Sequence, residues 1–244
     1  MSGADDVIRI FIGYDSRLPV LYNVAQHSIV RYASRPVAIT PIKLAHLGHI
    51  FTRERLAIQS TEFSFSRFLT PYLCGYQGWA IFMDNDIVAR DDIAKLWALR
   101  DDRYAVMCVK HDHQPTSTVK FLGEQQTAYN KKNWSSVMLM NTAKCKALTP
   151  EFVNTASGLE LHQFKWLGDD GLIGEIPMQW NFLVEYYKHD ESAKMVHYTE
   201  GGPYYAATRH VDFAETWFDN FRDSASCTDS DFATLSQAAL ASKS

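Results

Sequence analysis

The sequence lacks the features that mark nucleic-acid-binding, membrane-spanning and secreted proteins. Its 24 basic residues are outnumbered by 28 acidic ones, and a pI of about 6.1 indicates no basic surface for nucleic acid. No apolar run approaches the roughly 20 residues that span a bilayer. The first segment, MSGADDVIRIFIGYD, starts acidic and has no basic stretch ahead of a long apolar one, so we expect no signal peptide.

Cysteine is also scarce, with four residues in a chain of 244. Cys74, Cys108, Cys145 and Cys227 are widely spaced and form no CxxC pair. We expect reduced thiols that are buried or half-buried, as in a cytosolic protein. We therefore predict a cytoplasmic location, with no nucleic-acid partner and no transmembrane segment.

Strand-like and helix-like segments alternate in the first half of the chain. The strand patterns are VIRIFIGY (7–14), PVAITPIKL (36–44), WAIFM (79–83) and YAVMCVKH (104–111). The helical patterns are LPVLYNVAQHSIVRYA (18–33), STEFSFSRFLTPYLCGY (60–76) and DDIAKLWAL (91–99), the last capped by Asp91. Alternation of this kind is typical of crossover connections, so we predict an α/β fold with a mainly parallel sheet and helices on both faces. Pro41 places the second strand at an edge of the sheet or bends it.

The second half is less regular. It contains strand patterns at SSVMLMN (135–141) and AKMVHYT (193–199), a helix start at Thr149-Pro150, and a turn at Gly201-Gly202-Pro203. From Ser224 onward the chain is typical of a weak helix or a frayed tail. The length fits one large α/β domain or two small ones, and no linker is clear enough to divide it.

Two carboxylates end the most apolar strand pattern. Asp84 and Asp86 follow WAIFM directly, and the carboxyl ends of parallel strands are where α/β folds bind ligands. Alternate residues of an extended chain face the same side, so both carboxylates can enter one crevice. They would repel each other there unless a cation lies between them, and a hard divalent ion suits oxygen ligands. The alternative is that Asp84 caps a turn and Asp86 is solvated.

A third ligand would strengthen the metal hypothesis. His197 closes the strand pattern AKMVH just before a glycine turn, although a histidine in that position is commonly a hydrogen-bonded structural residue. The segment His111-Asp112-His113 also follows a strand and competes for the role. We consider it the weaker choice, because it has no fourth partner in view.

The order of several segments resembles family 8 glycosyltransferases and their bacterial relatives. The segments are SRFLTPYLCGYQGWAIFMDNDIVARDDIAKLW, NWSSVMLMN, MQWN and HYTEGGPYY. The resemblance implies a GT-A fold, a nucleotide-sugar donor and a manganese or magnesium ion. It implies that Asp84, Asp86 and His197 hold the ion, with Asp84 also near the donor ribose or sugar. It further implies one domain over residues 1–223, with a nucleotide-binding half (1–110), a smaller irregular acceptor-side half (111–223), and a tail (224–244).

The resemblance also implies donor-binding and catalytic residues. The expected donor-binding residues are Gly13, Tyr14, Asp15, Arg67, Asn85, Gly201 and Gly202. Gly201-Gly202 stand where the family has a phosphate-binding lysine, and their backbone N–H groups are the expected substitute. Asp169 and Asp170 match an acidic pair near the sugar and acceptor, the alternative being a helix cap ahead of Leu172-Ile173. Trp180-Asn181 match the family's WN landmark without an assigned role.

The predicted reaction is sugar transfer from a nucleoside-diphosphate sugar, with uracil the expected base and guanine still open. The acceptor is a hydroxyl group on a polysaccharide or other glycan, a lipid-linked sugar or a protein. If configuration is retained, as the resemblance implies, a leaving phosphate oxygen takes the acceptor proton; if it is inverted, Asp170 is the predicted base. Aromatic residues of the second half can stack on sugars, with Trp180 and Tyr204 the first candidates, although most are expected to fill the core.

Two other functions fit parts of the pattern. A haloacid-dehalogenase-type phosphatase also has a DxD after an apolar strand, but there the motif usually follows the first strand. A non-catalytic module that binds a nucleotide or sugar is favoured by the missing lysine. A purely structural role is the least favoured, because buried paired carboxylates cost stability without adding packing.

Overall fold

The computed structural model describes residues 7–54, 59–112 and 131–226. The strands are β1 (Ile8–Gly13), β2 (Val37–Ile42), β3 (Trp79–Met83), β4 (Ile87–Ala89), β5 (Val106–Cys108), β6 (Val137–Asn141), β7 (Ile173–Glu175), β8 (Phe182–Leu183) and β9 (Met195–His197). The α-helices are α1 (Pro19–Tyr32), α2 (Thr70–Leu73), α3 (Ile93–Trp97), α4 (Pro150–Thr155), α5 (Gly158–His162) and α6 (Ala214–Ala225). No helix in these ranges is long and apolar enough to cross a membrane.

Six strands form the central sheet in the order β2-β1-β3-β6-β5-β7. Only β6 runs against its neighbours β3 and β5, so the other five strands share one direction. This confirms the predicted α/β architecture with a mainly parallel sheet. Pro41 lies on the edge strand β2 opposite Ile12, as predicted, because proline has no N–H to donate inside a sheet.

Helices pack on both faces of this sheet, as the alternating pattern predicts. On one face, Ile10, Ile81 and Leu139 contact apolar side chains of α1 and α3. On the other face, Phe11 and Phe82 pack with the segment around Phe68 and with α4 and α5. The sheet is therefore buried on both sides, which explains why its central strands are almost entirely apolar.

A second, three-stranded sheet has the order β4-β9-β8. In it β4 runs antiparallel to β9, and Ile87 lies opposite His197. The sequence patterns did not separate this sheet from the first. Its strands are only two or three residues long, too short for a periodicity to be visible.

Two predicted element boundaries differ from the structure. The cap of α3 is Asp92, not Asp91, because the Asp92 carboxylate accepts a hydrogen bond from Ala94 N at 2.9 Å. Asp91 instead pairs with Lys95 one turn further on. The predicted helix over 60–76 is a 3₁₀ turn at Ser66–Leu69 followed by the short α2. At the other boundaries the Thr149 cap is present, and α6 continues through Ser224 to Ala225.

The described cysteines are free thiols. Cys108 and Cys145 are fully buried and Cys74 is half-buried, whereas Cys227 lies outside the described residues. Burial raises the pKa of both Cys108 and Cys145 to about 12, so these thiols stay protonated at neutral pH.

Candidate active site

Two carboxylates and one imidazole meet where the two sheets join. Asp84, Asp86 and His197 each offer a ligand atom, and these atoms lie within 4.8 Å of one another. Asp86 Oδ1 is 3.3 Å from His197 Nε2. The imidazole is buried and the two carboxylates are mostly so. The predicted triad is therefore brought together by the fold.

The convergence follows from strand geometry. Asp84-Asn85-Asp86 is the three-residue connection between β3 of the large sheet and β4 of the small one. Asp84 N donates to the carbonyl of Ser136, the residue just before β6, at 2.8 Å. The carbonyl of Asp86 accepts from Tyr198 N at 3.0 Å, which extends the β4–β9 ladder and sets Asp86 beside His197. Backbone pairing to two different strands thus fixes both carboxylates.

Asp84 has a buried cationic partner. Arg67 Nη1 lies 2.7 Å from Asp84 Oδ1 and donates to the Ser135 carbonyl at 3.0 Å. The guanidinium stacks near the rings of Phe63 and Phe82, at 5.3 and 5.1 Å. Arg67 was predicted to contact the donor, and the structure places it behind the acidic motif, where it neutralises Asp84 in an apolar setting.

The chemistry of the triad fits a divalent cation. Two carboxylate oxygens and one imidazole nitrogen converge, and Asp86 Oδ1 faces the imidazole nitrogen. A mixed oxygen and nitrogen ligand set suits manganese better than magnesium, which prefers oxygen. The alternative in which Asp86 is simply solvated does not fit, because its Oδ1 is buried.

A pocket of about 390 Å³ opens beside Asp86. Its described lining comes from the loop after β1 with the start of α1, from Ser60-Thr61, from the connection that contains Asn85 and Asp86, and from the turn that follows β9. Its described lining includes three carboxylates, Asp15, Asp86 and Glu200, and one cation, Arg17. The volume is in the range of small-molecule sites. A negatively charged ligand would be repelled from this pocket unless a cation accompanied it.

Asp15 is held rigidly at the back of this pocket. Its carboxylate accepts from Arg17 Nε at 2.9 Å and Nη2 at 2.8 Å, and from the backbone N–H of Arg17 at 3.0 Å. Burial alone would raise the pKa of Asp15, but the hydrogen bonds and charge of Arg17 outweigh it, so the pKa lies below its ordinary value. Asp15 is therefore ionised at neutral pH and fixed in one orientation.

The other predicted donor-binding residues divide into two groups. Asn85 and Gly201 line the pocket with Asp15. Gly13 lies behind it, where an added Cβ would be 2.3 Å from the Phe63 ring, and Tyr14 packs on Tyr22 with ring centroids 5.5 Å apart. These two residues therefore shape the loop from behind.

The glycine turn does not offer phosphate both of its N–H groups. Gly201 N donates to the carbonyl of Tyr198 at 3.0 Å, so its role as a phosphate donor stays a prediction that requires this hydrogen bond to open. Gly202 is pressed against Tyr204, whose ring would be 2.3 Å from an added Cβ. The turn is built of glycine because the backbone passes close to this tyrosine.

Asp169 and Asp170 lie outside the described lining of this pocket. Asp169 caps a short 3₁₀ turn by accepting from Gly171 N at 2.7 Å, which matches the cap alternative. Asp170 is exposed and forms an ion pair with Lys131. A catalytic role for either residue remains a prediction.

The competing histidine is not in the metal cluster. His111 is buried and contacts Tyr187 and Asn181, while His113 lies outside the described residues. Among the aromatic candidates, Trp180 is buried in the core, as expected for most of them. Tyr204 lines the pocket, and burial together with the charge of Asp86 raises its pKa.

Several residues of the pocket lining had no role assigned from the sequence, and Arg17 and Glu200 are the charged ones. Arg17 had a detectable signal, because it follows Asp15 at the spacing of a local hydrogen-bonded turn. Glu200 lies inside a segment that resembles the family, but its place in the pocket depends on the path of the chain after β9. Tyr205, one of the aromatic residues expected to be able to stack on sugars, also lines the pocket.

Comparisons with known proteins agree with this geometry. A model of the family described as "Glycosyl transferase family 8" matches residues 26–147, which is half of the chain. The chain is 48% identical over 224 residues to Protein CDI of Arabidopsis thaliana, covering 88% of this chain and 86% of that protein.

Two solved structures are similar in fold. The bifunctional glycosyltransferase WbbM superposes with a TM-score of 0.62 at 15% identity. The match covers 91% of this chain but only 50% of the WbbM chain. The galactosyltransferase LgtC, bound to donor and acceptor sugar analogues, has a TM-score of 0.59 at 12% identity, with coverage of 93% and 99%. At these identities the likeness concerns the fold, which is GT-A. With the family match and the close plant relative, the conclusion is that this chain belongs to glycosyl transferase family 8.

Proposed function

We propose that this protein is a metal-dependent glycosyltransferase that moves a sugar from a nucleoside-diphosphate sugar, UDP-linked in our view, to a hydroxyl acceptor. The observation that carries the proposal is the buried cluster of Asp84, Asp86 and His197, with ligand atoms within 4.8 Å, at the edge of a small-molecule pocket. Family membership supports the reaction class, and the cluster supports the proposed dependence on a metal.

The three ligands would hold Mn²⁺, or less readily Mg²⁺. When bound, the ion would neutralise the negative charge that develops on the leaving diphosphate. The chain's own residues prepare for this. Arg67 orients Asp84 through a 2.7 Å contact, and backbone pairing holds Asp86 against His197. A rigid ligand set of this kind loses little entropy when a cation binds.

The electrostatics of the pocket support binding of metal and nucleotide together. Three carboxylates and one guanidinium line its described part, so its net charge is negative. A diphosphate would therefore bind weakly to the metal-free protein, and Arg17 would supply one positive contact. The Asp15 carboxylate already accepts four hydrogen bonds, three from Arg17 and one from Glu62 N, so its role in this proposal is to hold the loop that cradles the nucleoside.

The position of Asp170 favours retention of configuration. The carboxylate of Asp170 is exposed and paired with Lys131, and a salt-bridged carboxylate is a poor general base. Asp170 and Asp169 also lie outside the described lining of the donor pocket. We therefore propose a retaining hexosyltransferase in which a phosphate oxygen of the donor takes the acceptor proton, and in which Asp169 and Asp170 act on the acceptor side.

The acceptor is proposed as a glycan, a lipid-linked sugar or a protein. LgtC, whose structure holds acceptor and donor sugar analogues, has the same fold, which makes a sugar hydroxyl the first acceptor to test. We further propose that the protein works in the cytoplasm, because its buried thiols are suited to a reducing compartment.

A screen of nucleotide diphosphates and sugar nucleotides by thermal shift, each with and without Mn²⁺, tests this function. We expect stabilisation by UDP or a UDP-sugar in the presence of Mn²⁺ and little without it. Equal stabilisation with Mn²⁺ and with chelator would refute metal dependence. Turnover of the selected donor, lost in Asp86→Ala with the fold intact, then tests catalysis. Binding without turnover across a panel of donors and acceptors would favour a non-catalytic module. Such a module is compatible with Gly201-Gly202, which stand where the family has a phosphate-binding lysine.

A further inference from the structure

A buried asparagine lies directly behind the imidazole of the metal cluster. Asn181, at the end of a 3₁₀ turn before β8, is completely inaccessible to solvent. Its Oδ1 lies 3.0 Å from His197 Nδ1. Its Nδ2 lies 2.8 Å from Ser136 Oγ and 2.9 Å from His111 Nε2. Asn181 is therefore the only described hydrogen-bond partner of His197 Nδ1 and connects it to a wider network.

The orientation of this amide can be read from the hydrogens of Ser136. The Ser136 hydroxyl has one hydrogen, which it donates to the carbonyl of Asn133 at 2.6 Å. Toward Asn181 the same oxygen can only accept, so the amide atom that faces it must be the NH₂ group. The Asn133 carbonyl, 3.3 Å from Asn181 Nδ2, requires the same orientation. The amide oxygen is therefore left to face His197.

That orientation fixes which nitrogen of His197 carries hydrogen. Because Asn181 Oδ1 is an acceptor, Nδ1 of His197 must be the protonated nitrogen at their 3.0 Å contact. In the neutral ring, Nε2 then presents its lone pair toward Asp86 Oδ1, 3.3 Å away, and a cation bound by both atoms would relieve the repulsion between these two acceptors. The reverse tautomer would place lone pairs of Asn181 and His197 against each other inside the core.

We propose that Asn181 is a positioning residue for the metal site: it holds His197 as the Nδ1–H tautomer, with Nε2 turned toward Asp86 as a ready ligand. The proposal rests on the metal-dependent function proposed above. It uses the general property that a hydrogen bond to the distal nitrogen sets the tautomer and orientation of a metal-binding histidine. It also accounts for the asparagine of the WN landmark, which had no role.

The same network explains why His111 is not a ligand. Asn181 Nδ2 donates to His111 Nε2, so the hydrogen of His111 is on Nδ1, from which it is donated to Tyr187 Oη at 2.7 Å. Both ring nitrogens of His111 are thus hydrogen-bonded to other side chains of the protein. His111 therefore supports the orientation of Asn181 and leaves His197 to bind the cation.

The tautomer can be measured in the metal-free protein by long-range ¹H–¹⁵N NMR of histidine side chains. We expect His197 to be the Nδ1–H tautomer when neutral in the wild type. In Asn181→Leu, which removes the acceptor at nearly the same volume, we expect this preference to be lost. Affinity for Mn²⁺ alone, measured by electron paramagnetic resonance, should fall about 10–100-fold.

Asn220→Leu is the matched control. Asn220 is also buried, and its Oδ1 contacts His27 Nδ1 at the same distance of 3.0 Å, but it lies on α6 away from the metal cluster. We expect unchanged Mn²⁺ affinity in this variant. Asn181→Asp keeps an oxygen facing His197 and should retain the Nδ1–H tautomer.

The outcomes separate this proposal from the proposed function. An Nε2–H tautomer in the wild type, or full Mn²⁺ affinity in Asn181→Leu, would overturn the positioning role. If Asn181→Leu does not fold, the wild-type NMR spectrum still tests the proposal, because an Nε2–H tautomer there overturns it without any variant. The Nδ1–H tautomer in a wild type that binds no Mn²⁺ would instead overturn metal dependence and leave the tautomer assignment standing.

Discussion

The buried ion pair between Arg67 and Asp84 allows a quantitative test of how the site is built. In Arg67→Met the side-chain volume is roughly kept, but Asp84 loses a cation at 2.7 Å and the Ser135 carbonyl loses a charged donor at 3.0 Å. Removing one partner of a buried pair costs about 3–5 kcal/mol. The Asp84 side chain is 14% exposed next to a pocket that water can enter, so we expect the lower limit, about 3 kcal/mol.

The double variant Arg67→Met with Asp84→Asn separates the charge from the packing. Replacing both members of a buried pair can be nearly neutral, but the Ser135 carbonyl remains without its donor, which costs about 1–2 kcal/mol. The double variant should therefore be more stable than Arg67→Met alone by about 1–2 kcal/mol. The measurement is urea unfolding followed by tryptophan fluorescence and circular dichroism.

The surface pair Lys95–Asp91 is the control. It is as short, at 2.6 Å, but Lys95 is 60% exposed, so Lys95→Met should leave the urea midpoint unchanged within error. A double variant as unstable as Arg67→Met would refute the reasoning, because the damage would then not come from the charge of Asp84.

Three further predictions concern the pocket. Asp86→Asn should weaken Mn²⁺ binding by more than the roughly 10–100-fold expected for Asn181→Leu, because Asp86 is itself a proposed ligand. Calorimetry measures the affinity, and an unchanged circular dichroism spectrum shows that the fold is intact. Gly202→Ala should place a methyl group against Tyr204 and lower stability by about 1–3 kcal/mol, with weaker nucleotide binding, checked by thermal unfolding and by titration. Asp15 has a pKa below its ordinary 3.8, so its contribution to stability is complete above that value and is lost as the pH falls through the lower folded value. The stability difference between wild type and Asp15→Asn should therefore be largest near neutral pH and shrink below pH 3.8, and a difference that is constant with pH would contradict the Asp15–Arg17 interaction.

The local patterns of the sequence were sufficient for the central sheet and for its edge. Alternating strand and helix patterns predict crossover connections, and Pro41 can occupy only a strand with an unpaired side. They were not sufficient where two residues compete for one role, as at α3, where Asp91 and Asp92 are equally good caps. The choice of Asp92 depends on backbone angles and on its contact with Ser34, 58 residues away.

For the site, the sequence by itself determined the chemistry of the ligands and that each lies at a strand end. A buried apolar strand that ends in two carboxylates, and a second that ends in histidine, indicate a cation site wherever the two ends meet. Only the tertiary structure decided that they do meet, because the antiparallel pairing of β4 with β9 joins residues more than one hundred positions apart. It also decided the partners that no pattern contains: Arg67 behind Asp84 and Asn181 behind His197. Such contacts depend on the packing of separate elements, and a hydrogen bond has no periodicity along the chain.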